Sequence, residues 1–282
     1  MPDFITLSPQ GRQQTLEYAW VGSTAADAPI CVFLHEGLGC VALWRQFPAQ
    51  LCARLGMRGL VYSRFAYGAS TPRPHDEPFP RDYLQREAVE VLPALLTALD
   101  IQRPWLLGHS DGGSIALIAA AHTARNPATN LSGIVTIAPH YFVEDACLAG
   151  IRRAKAAYEH GTLRQKLAKY HHDVDSAFYG WCNVWLDPTH HDWSIEAELA
   201  AITCPILAIQ GVEDEYAASL AQIEGIQRQA PHTVLHPLSG CDHNPHLRQP
   251  QRVIEAIAAF GRQVSPGCQK LHVRRNSSRL ET

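Results

Sequence analysis

The stretch that most constrains this chain is PWLLGHSDGGSIALIAAAHTA, residues 104–124. A short apolar run ends in Gly108-His109-Ser110-Asp111-Gly112-Gly113, and small apolar residues at helical spacing follow at once. A strand that passes straight into a helix leaves only a tight turn between them. Glycines on both sides of Ser110 remove Cβ atoms that would press into neighbouring backbone. The serine is then held off the strand end, over a helix N-terminus whose partial positive charge favours an anion. G-x-S-x-G alone is weak, with a chance match in roughly one chain in ten to twenty of this length. The strand before it and the helix after it make Ser110 a candidate nucleophile.

The rest of the chain alternates in the same way. Buried strands are predicted at 30–37, 58–65, 104–110, 133–140, 204–211 and 233–240, each short, apolar and closed by turn residues. Helices are predicted at 42–55, 81–99, 112–124, 216–229 and 250–262. This alternation predicts an α/β fold with a mostly parallel, doubly wound sheet. The interval 141–203 breaks it, being helical in pattern and holding Trp181, Trp185 and Trp193. It reads as a helical cap inserted into a core made of 1–140 and 204–263. Residues 264–282 are polar and read as a disordered tail.

Composition narrows the function classes. With 46% hydrophobic and 18% charged residues, the chain can bury a sizeable core. A formal charge of -3 points neither to nucleic acid nor to an anionic membrane surface. No apolar run is long enough to span a bilayer. The start, MPDFITLSPQGRQQ, lacks the basic-then-apolar order of a secretory signal. The eight cysteines form no C-x-x-C pair, and the histidine doublets 171–172 and 190–191 lack metal-ligand spacing. The expectation is a cytoplasmic protein with reduced cysteines, no metal, no cofactor and a small-molecule substrate. Oligomeric state is left open.

A serine hydroxyl needs a base, and the base needs an orienting acid. ILAIQGVEDEYA offers Asp214 just beyond a strand end, with Glu213 and Glu215 as alternatives. HPLSGCDHNPHLRQP offers His243 between the last strand and the last helix, with His246 as the alternative. The oxyanion of an acyl-transfer intermediate needs backbone N–H donors. Asp111, next after the nucleophile, supplies one amide, and Gly37 in HEGLGC supplies the other.

With HEGLG, YSRFAYGAS, GHSDGG, GVEDEY and GCDHNPH in place, the chain resembles the α/β-hydrolase superfamily from about Gln14 to Gly261. The resemblance is to its cap-bearing branch of serine esterases, lactonases and carbon–carbon bond hydrolases. It implies Ser110, Asp214 and His243 as the triad, and Gly37 and Asp111 as the oxyanion amides. Three departures stand out. Glu36 replaces the family's Gly, and reads either as a buried strut or as a contact to a polar substrate group. Ser63 and Ala66 replace Asp and Gly in the SRFAYGAS loop, which reads as structural. His109 and Asn244 stand where carbon–carbon hydrolases of this branch usually carry Asn and Trp, which favours esters, thioesters or lactones. The expected activity is hydrolysis of a carboxylic ester of a small, largely apolar substrate through an acyl-enzyme. The alternatives are carbon–carbon or enol-lactone hydrolysis by the same triad, and a hydrolase-fold receptor without turnover. Glu36, His109, Tyr141, Phe142, Phe178, Trp181 and Trp185 are candidate substrate contacts. The Asp111 carboxylate reads as a helix cap, or else as a partner for a cationic substrate group.

Overall fold

The structure is a computed structural model and describes residues 2–125 and 130–264. Among these residues eight strands form one sheet in the order β1-β2-β4-β3-β5-β6-β7-β8. They are β1 (Asp3–Leu7), β2 (Gln14–Gly22), β3 (Ile30–Leu34), β4 (Arg58–Tyr62), β5 (Trp105–His109), β6 (Gly133–Ile137), β7 (Ile206–Gly211) and β8 (Thr233–Leu238). β1–β2 and β2–β4 are antiparallel, and every later pairing is parallel. Strands β3 to β8 are the six expected ones. All but β7 end earlier than expected, because the residues after them leave the sheet and build the site. The β1–β2 hairpin has no counterpart in the sequence reading. Its strands are half-exposed and mix polar with apolar residues, so they carry no continuous apolar run.

Alternate side chains divide the core into two layers. Val32, Leu34, Leu60, Leu106, Ile134 and Ile206 join one cluster, and Phe33, Val61, Leu107, Val135 and Leu207 join the other. This is the period-two consequence of strands buried on both faces. α1 (Phe47–Leu55) and α11 (Pro250–Val264) cover the second face. The first face is covered by α2 (Tyr83–Arg86), a π-helical turn (Glu87–Val91), α3 (Leu92–Ala98) and α4 (Asp111–Ala124). The π turn comes just before Pro93, whose missing N–H cannot continue a regular ladder. α4 is buried from Asp111 to Ala121, which explains its run of small residues.

The inserted segment between β6 and β7 forms α5 (Asp145–His160), α6 (Leu163–Leu167), α7 (Val174–Leu186) and α8 (Glu196–Leu199). Asp173 caps α7 by accepting from the Ser176 amide at 2.9 Å. Phe178, Trp181 and Trp185 of α7 share one apolar cluster with Tyr83 and Ile115 of the core. α9 (Ala221–Gln229) starts five residues later than expected, because 216–220 belong to the loop after β7. α10 (Pro245–Arg248) precedes α11, whose last residue is Val264. The stretch expected to be a disordered tail lies, beyond Val264, outside the described residues.

Candidate active site

Ser110 is the residue between β5 and α4, and its backbone is strained at φ 51°, ψ -117°. A non-glycine residue holds such angles only where its surroundings over-determine them. Here a Cβ on Gly108 would overlap the Gly112 carbonyl, and one on Gly112 would overlap the Leu34 carbonyl. The two glycines therefore let β5, β3 and α4 converge, while the Ser110 amide is fixed to the Ile137 carbonyl at 2.9 Å. Ser110 is 9% exposed.

The loops after β7 and β8 meet at one ion pair. His243 Nδ1 lies 2.9 Å from both Asp214 oxygens, and both residues are buried. A carboxylate only accepts, so Nδ1–H donates and Nε2 is left as the basic nitrogen. Burial favours neutral His243, but the hydrogen bond and charge of Asp214, aided by Glu215 and Glu36, override it and raise its pKa. For Asp214 burial works upward and is outweighed by His243 and the Tyr216 amide, so its carboxyl is held low. The alternatives from the sequence are engaged elsewhere. Glu213 accepts from the Cys241 amide at 2.7 Å and Glu215 from the His243 amide at 3.2 Å. His246 is buried among Trp44, Phe47 and His109. No hydrogen bond joins the Ser110 hydroxyl to His243 among the described residues, and such bonds often tighten only with substrate bound. His109 Nε2–H donates to the His243 carbonyl at 2.8 Å, which holds the histidine loop against the residue preceding Ser110.

Neither the Gly37 nor the Asp111 amide donates to another protein group among the described residues. Gly37 does not have a positive φ. Its lack of a side chain serves a close approach instead, since a Cβ there would run into the Trp181 indole. The loop is also braced from below. Arg64 Nη2 donates to the Glu36 carbonyl at 2.9 Å, and His35 Nδ1–H donates to the same carbonyl at 2.7 Å. His171, just before α7, donates from Nε2 to the Leu38 carbonyl and accepts the Gly68 amide at Nδ1, both at 3.0 Å. The helical insertion is thus tied to the loop after β3 through a neutral histidine.

The Asp111 side chain departs from the capping expectation. It makes no cap. Its Oδ2 accepts from the Tyr83 hydroxyl at 2.6 Å and lies 3.6 Å from Arg64 Nη2, while Trp185 Nε1–H donates to the same hydroxyl at 2.8 Å. Burial raises its pKa against the pull of Arg64. The first helical residue faces the α2 side here, so a local cap loses to a buried charge partner.

The Glu36 side chain is 30% exposed, with Oε2 3.5 Å from His109 Nδ1. Burial would raise its pKa, but the contact with His109 outweighs it and holds the carboxyl below the usual range. Its backbone carbonyl is held by Arg64 and His35, while the carboxylate itself stays partly exposed. Of the aromatic candidates, Trp181 lies on Gly37, and Trp185 packs edge-on against His140 at 5.8 Å. Phe178 is fully buried and stacked on Tyr158 at 3.6 Å, inside the insertion. Tyr141 points away, its hydroxyl against Gly225 of α9, with Phe142 packed on it at 4.7 Å. Phe178, Tyr141 and Phe142 therefore pack structure where the sequence suggested pocket walls. An apolar residue after a strand looks alike in either role.

No site role is expected from the sequence for Arg64, Tyr83, His140, His171 or Tyr216. His140 stacks near His243 at 6.0 Å, and burial first, then the His243 charge, lowers its pKa to about 3. Tyr216 lies 4.7 Å from the His243 ring and its amide donates to Asp214 at 2.9 Å. Arg64 had a signal, its place in SRFAYGAS; Tyr83 had none, since its partner is distant in sequence.

Residues 31–256 match the alpha/beta hydrolase family, and the chain belongs to that family. It is similar to serine hydrolase BPHL of Homo sapiens, 30% identical over 189 residues. That match covers 64% of this chain and 62% of the human protein. Its fold is shared with a solved structure from a study of carboxylesterases of Nitrososphaera gargenis, at TM-score 0.74 and 18% identity, covering 93% of this chain and 99% of that one. The enol-lactonase of Burkholderia xenovorans superposes at TM-score 0.68 and 16% identity, covering 91% and 99%.

Proposed function

We propose that the protein is a serine hydrolase that cleaves carboxylic esters of small, largely apolar substrates through an acyl-enzyme. The observation that carries this is the strained Ser110 at the β5–α4 turn, whose preceding residue, His109, holds the carbonyl of a His243 buried against the Asp214 carboxylate. Ser110 attacks the ester carbonyl while His243 Nε2 takes its proton. The oxyanion forms against the Gly37 and Asp111 amides. Collapse returns the proton to the leaving alcohol. A water, deprotonated by the same nitrogen, then releases the acid and restores Ser110. Asp214 stabilises the imidazolium in each half-reaction without taking the proton. The helical insertion 141–203 acts as the cap, with Trp181 and Trp185 over the site. The serine hydrolase name of the human relative and the esterase neighbours support this reading.

Short and medium acyl p-nitrophenyl esters, assayed beside a meta-cleavage dienone, test the reading. Ester turnover is expected to be faster, and Ser110→Ala is expected to lower kcat by about 10⁴-fold or more. Faster dienone turnover overturns the ester preference, and unchanged turnover in Ser110→Ala overturns the mechanism.

A further inference from the structure

We propose that a cavity on the far side of Arg64 from the oxyanion loop is a second binding site, for a small aromatic carboxylate. The cavity, about 310 Å³, lies between the β1–β2 turn and the segment Glu77–Val91. A cavity of about 150 Å³ accommodates benzene, so this one has room for a ring and a carboxylate. It sits at the small end of ordinary ligand sites. Ser110, His243 and Gly37 do not line it.

Its chemistry is set by unpartnered donors. Gln14 Nε2, Arg64 Nε, Tyr67 Oη and Arg73 Nε have no hydrogen-bond partner among the described residues. All four residues line the cavity, and all are at most 5% exposed. Buried polar groups without partners are rare and call for an explanation. Three of the four atoms only donate, and the tyrosine hydroxyl can donate, so the matching ligand is rich in acceptors. The acidic groups around the cavity are already engaged. Glu77 pairs with Arg12 at 2.9 Å, and Glu90 accepts from Gln10 at 2.6 Å. Glu87 accepts from the Tyr62 hydroxyl at 2.7 Å, and burial raises its pKa. Arg86 is paired with Asp82. The guanidinium of Arg73, bonded to the Pro74 and Glu77 carbonyls, has no carboxylate on it among the described residues. Carboxylate and guanidinium are complementary in plane and charge. The remaining wall includes Phe65 and Phe79, whose rings lie 6.5 Å apart, and these favour an aromatic body on the anion.

The two sites share Arg64. On one side it lines the cavity; on the other it holds the Glu36 carbonyl and faces Asp111. A carboxylate on its Nε side competes for that guanidinium and so alters the oxyanion loop. This coupling rests on the oxyanion assignment proposed above; the site itself does not.

The probe is benzoate, with benzamide as its neutral counterpart, titrated into the full chain by calorimetry. Benzoate is expected to bind at least tenfold tighter than benzamide. Arg73→Met and, separately, Gln14→Leu are expected to weaken it at least fivefold, with thermal melts confirming that both variants fold. Protein phosphonylated at Ser110 is expected to bind it within twofold of untreated protein. No binding at 10 mM benzoate on the order of ordinary weak-ligand concentrations, equal affinity for benzamide, or indifference to both substitutions overturns the proposal. Loss of binding on phosphonylation also overturns it, by placing the ligand in the catalytic pocket. Failure of Ser110 to react with the phosphonate is a separate result and bears only on the proposed function.

Discussion

At the scale of single residues, the site depends on partners set by burial. In the proposed mechanism His243 must lose its proton to act as base, and Asp214 raises its pKa. The acid limb of kcat/KM is therefore expected at a pH above about 6.5, the ordinary histidine value. Asp214→Asn removes the charge and the correct tautomer, and is expected to lower kcat by about 10⁴-fold. A pH–rate profile flat from 5 to 8, on the order of one unit or more either side of that value, contradicts the role of His243. Tyr83 makes a different kind of contribution. Its hydroxyl satisfies Asp111 and Trp185 together. Tyr83→Phe leaves both without it and is expected to cost about 1–3 kcal/mol in denaturant unfolding. A loss below about 0.5 kcal/mol indicates that the pair finds other partners.

At the scale of elements, α7 meets the loop after β3 at the Gly37–Trp181 contact, which in the proposed mechanism sets the position of the oxyanion amide. Gly37→Ala pushes a methyl into the Trp181 ring. Overpacking of this kind costs about 1–3 kcal/mol, and here it displaces either the loop or the helix. The expected result is a kcat/KM reduced about tenfold or more, with a change in tryptophan emission; wild-type values for both contradict the contact. The same scale shows what was legible in the sequence. The apolar runs of β3 to β8 and the tight Gly108–Gly112 turn announce themselves locally, because burial on both faces leaves continuous hydrophobic stretches. The order of Ser110, Asp214 and His243 follows from those strand ends. The β1–β2 hairpin escaped because its strands are half-wet and lack such a run. Asp111 was misassigned because its partners, Arg64 and Tyr83, come from the loop after β4 and from α2. Local rules propose a cap, and tertiary charge pairing overrides them. Tyr141, Phe142 and Phe178 show the same limit: hydrophobicity marks a residue as buried without saying against what.

At the scale of the whole molecule, buried histidines link stability to pH. Burial holds the pKa values of His35, His140 and His246 below the ordinary value, so the folded state keeps them neutral while the unfolded chain takes up protons near pH 6.5. The unfolded state then binds more protons as pH falls, and stability declines with it. As pH falls below about 6.5, each such histidine therefore lowers stability. The raised pKa of His243 acts in the opposite sense but is a single group. Tm is expected to fall steadily from pH 7 to pH 5, on the order of one to two units around the histidine pKa. A constant Tm contradicts the neutral burial of these rings.

The central claim is that Ser110 is the nucleophile, and covalent labelling tests it most directly. The protein is treated with a fluorophosphonate, digested, and the modified peptide located by mass. A single adduct on Ser110, absent in Ser110→Ala and slowed in His243→Ala, is the expected result. No adduct, or an adduct on another residue, contradicts the claim.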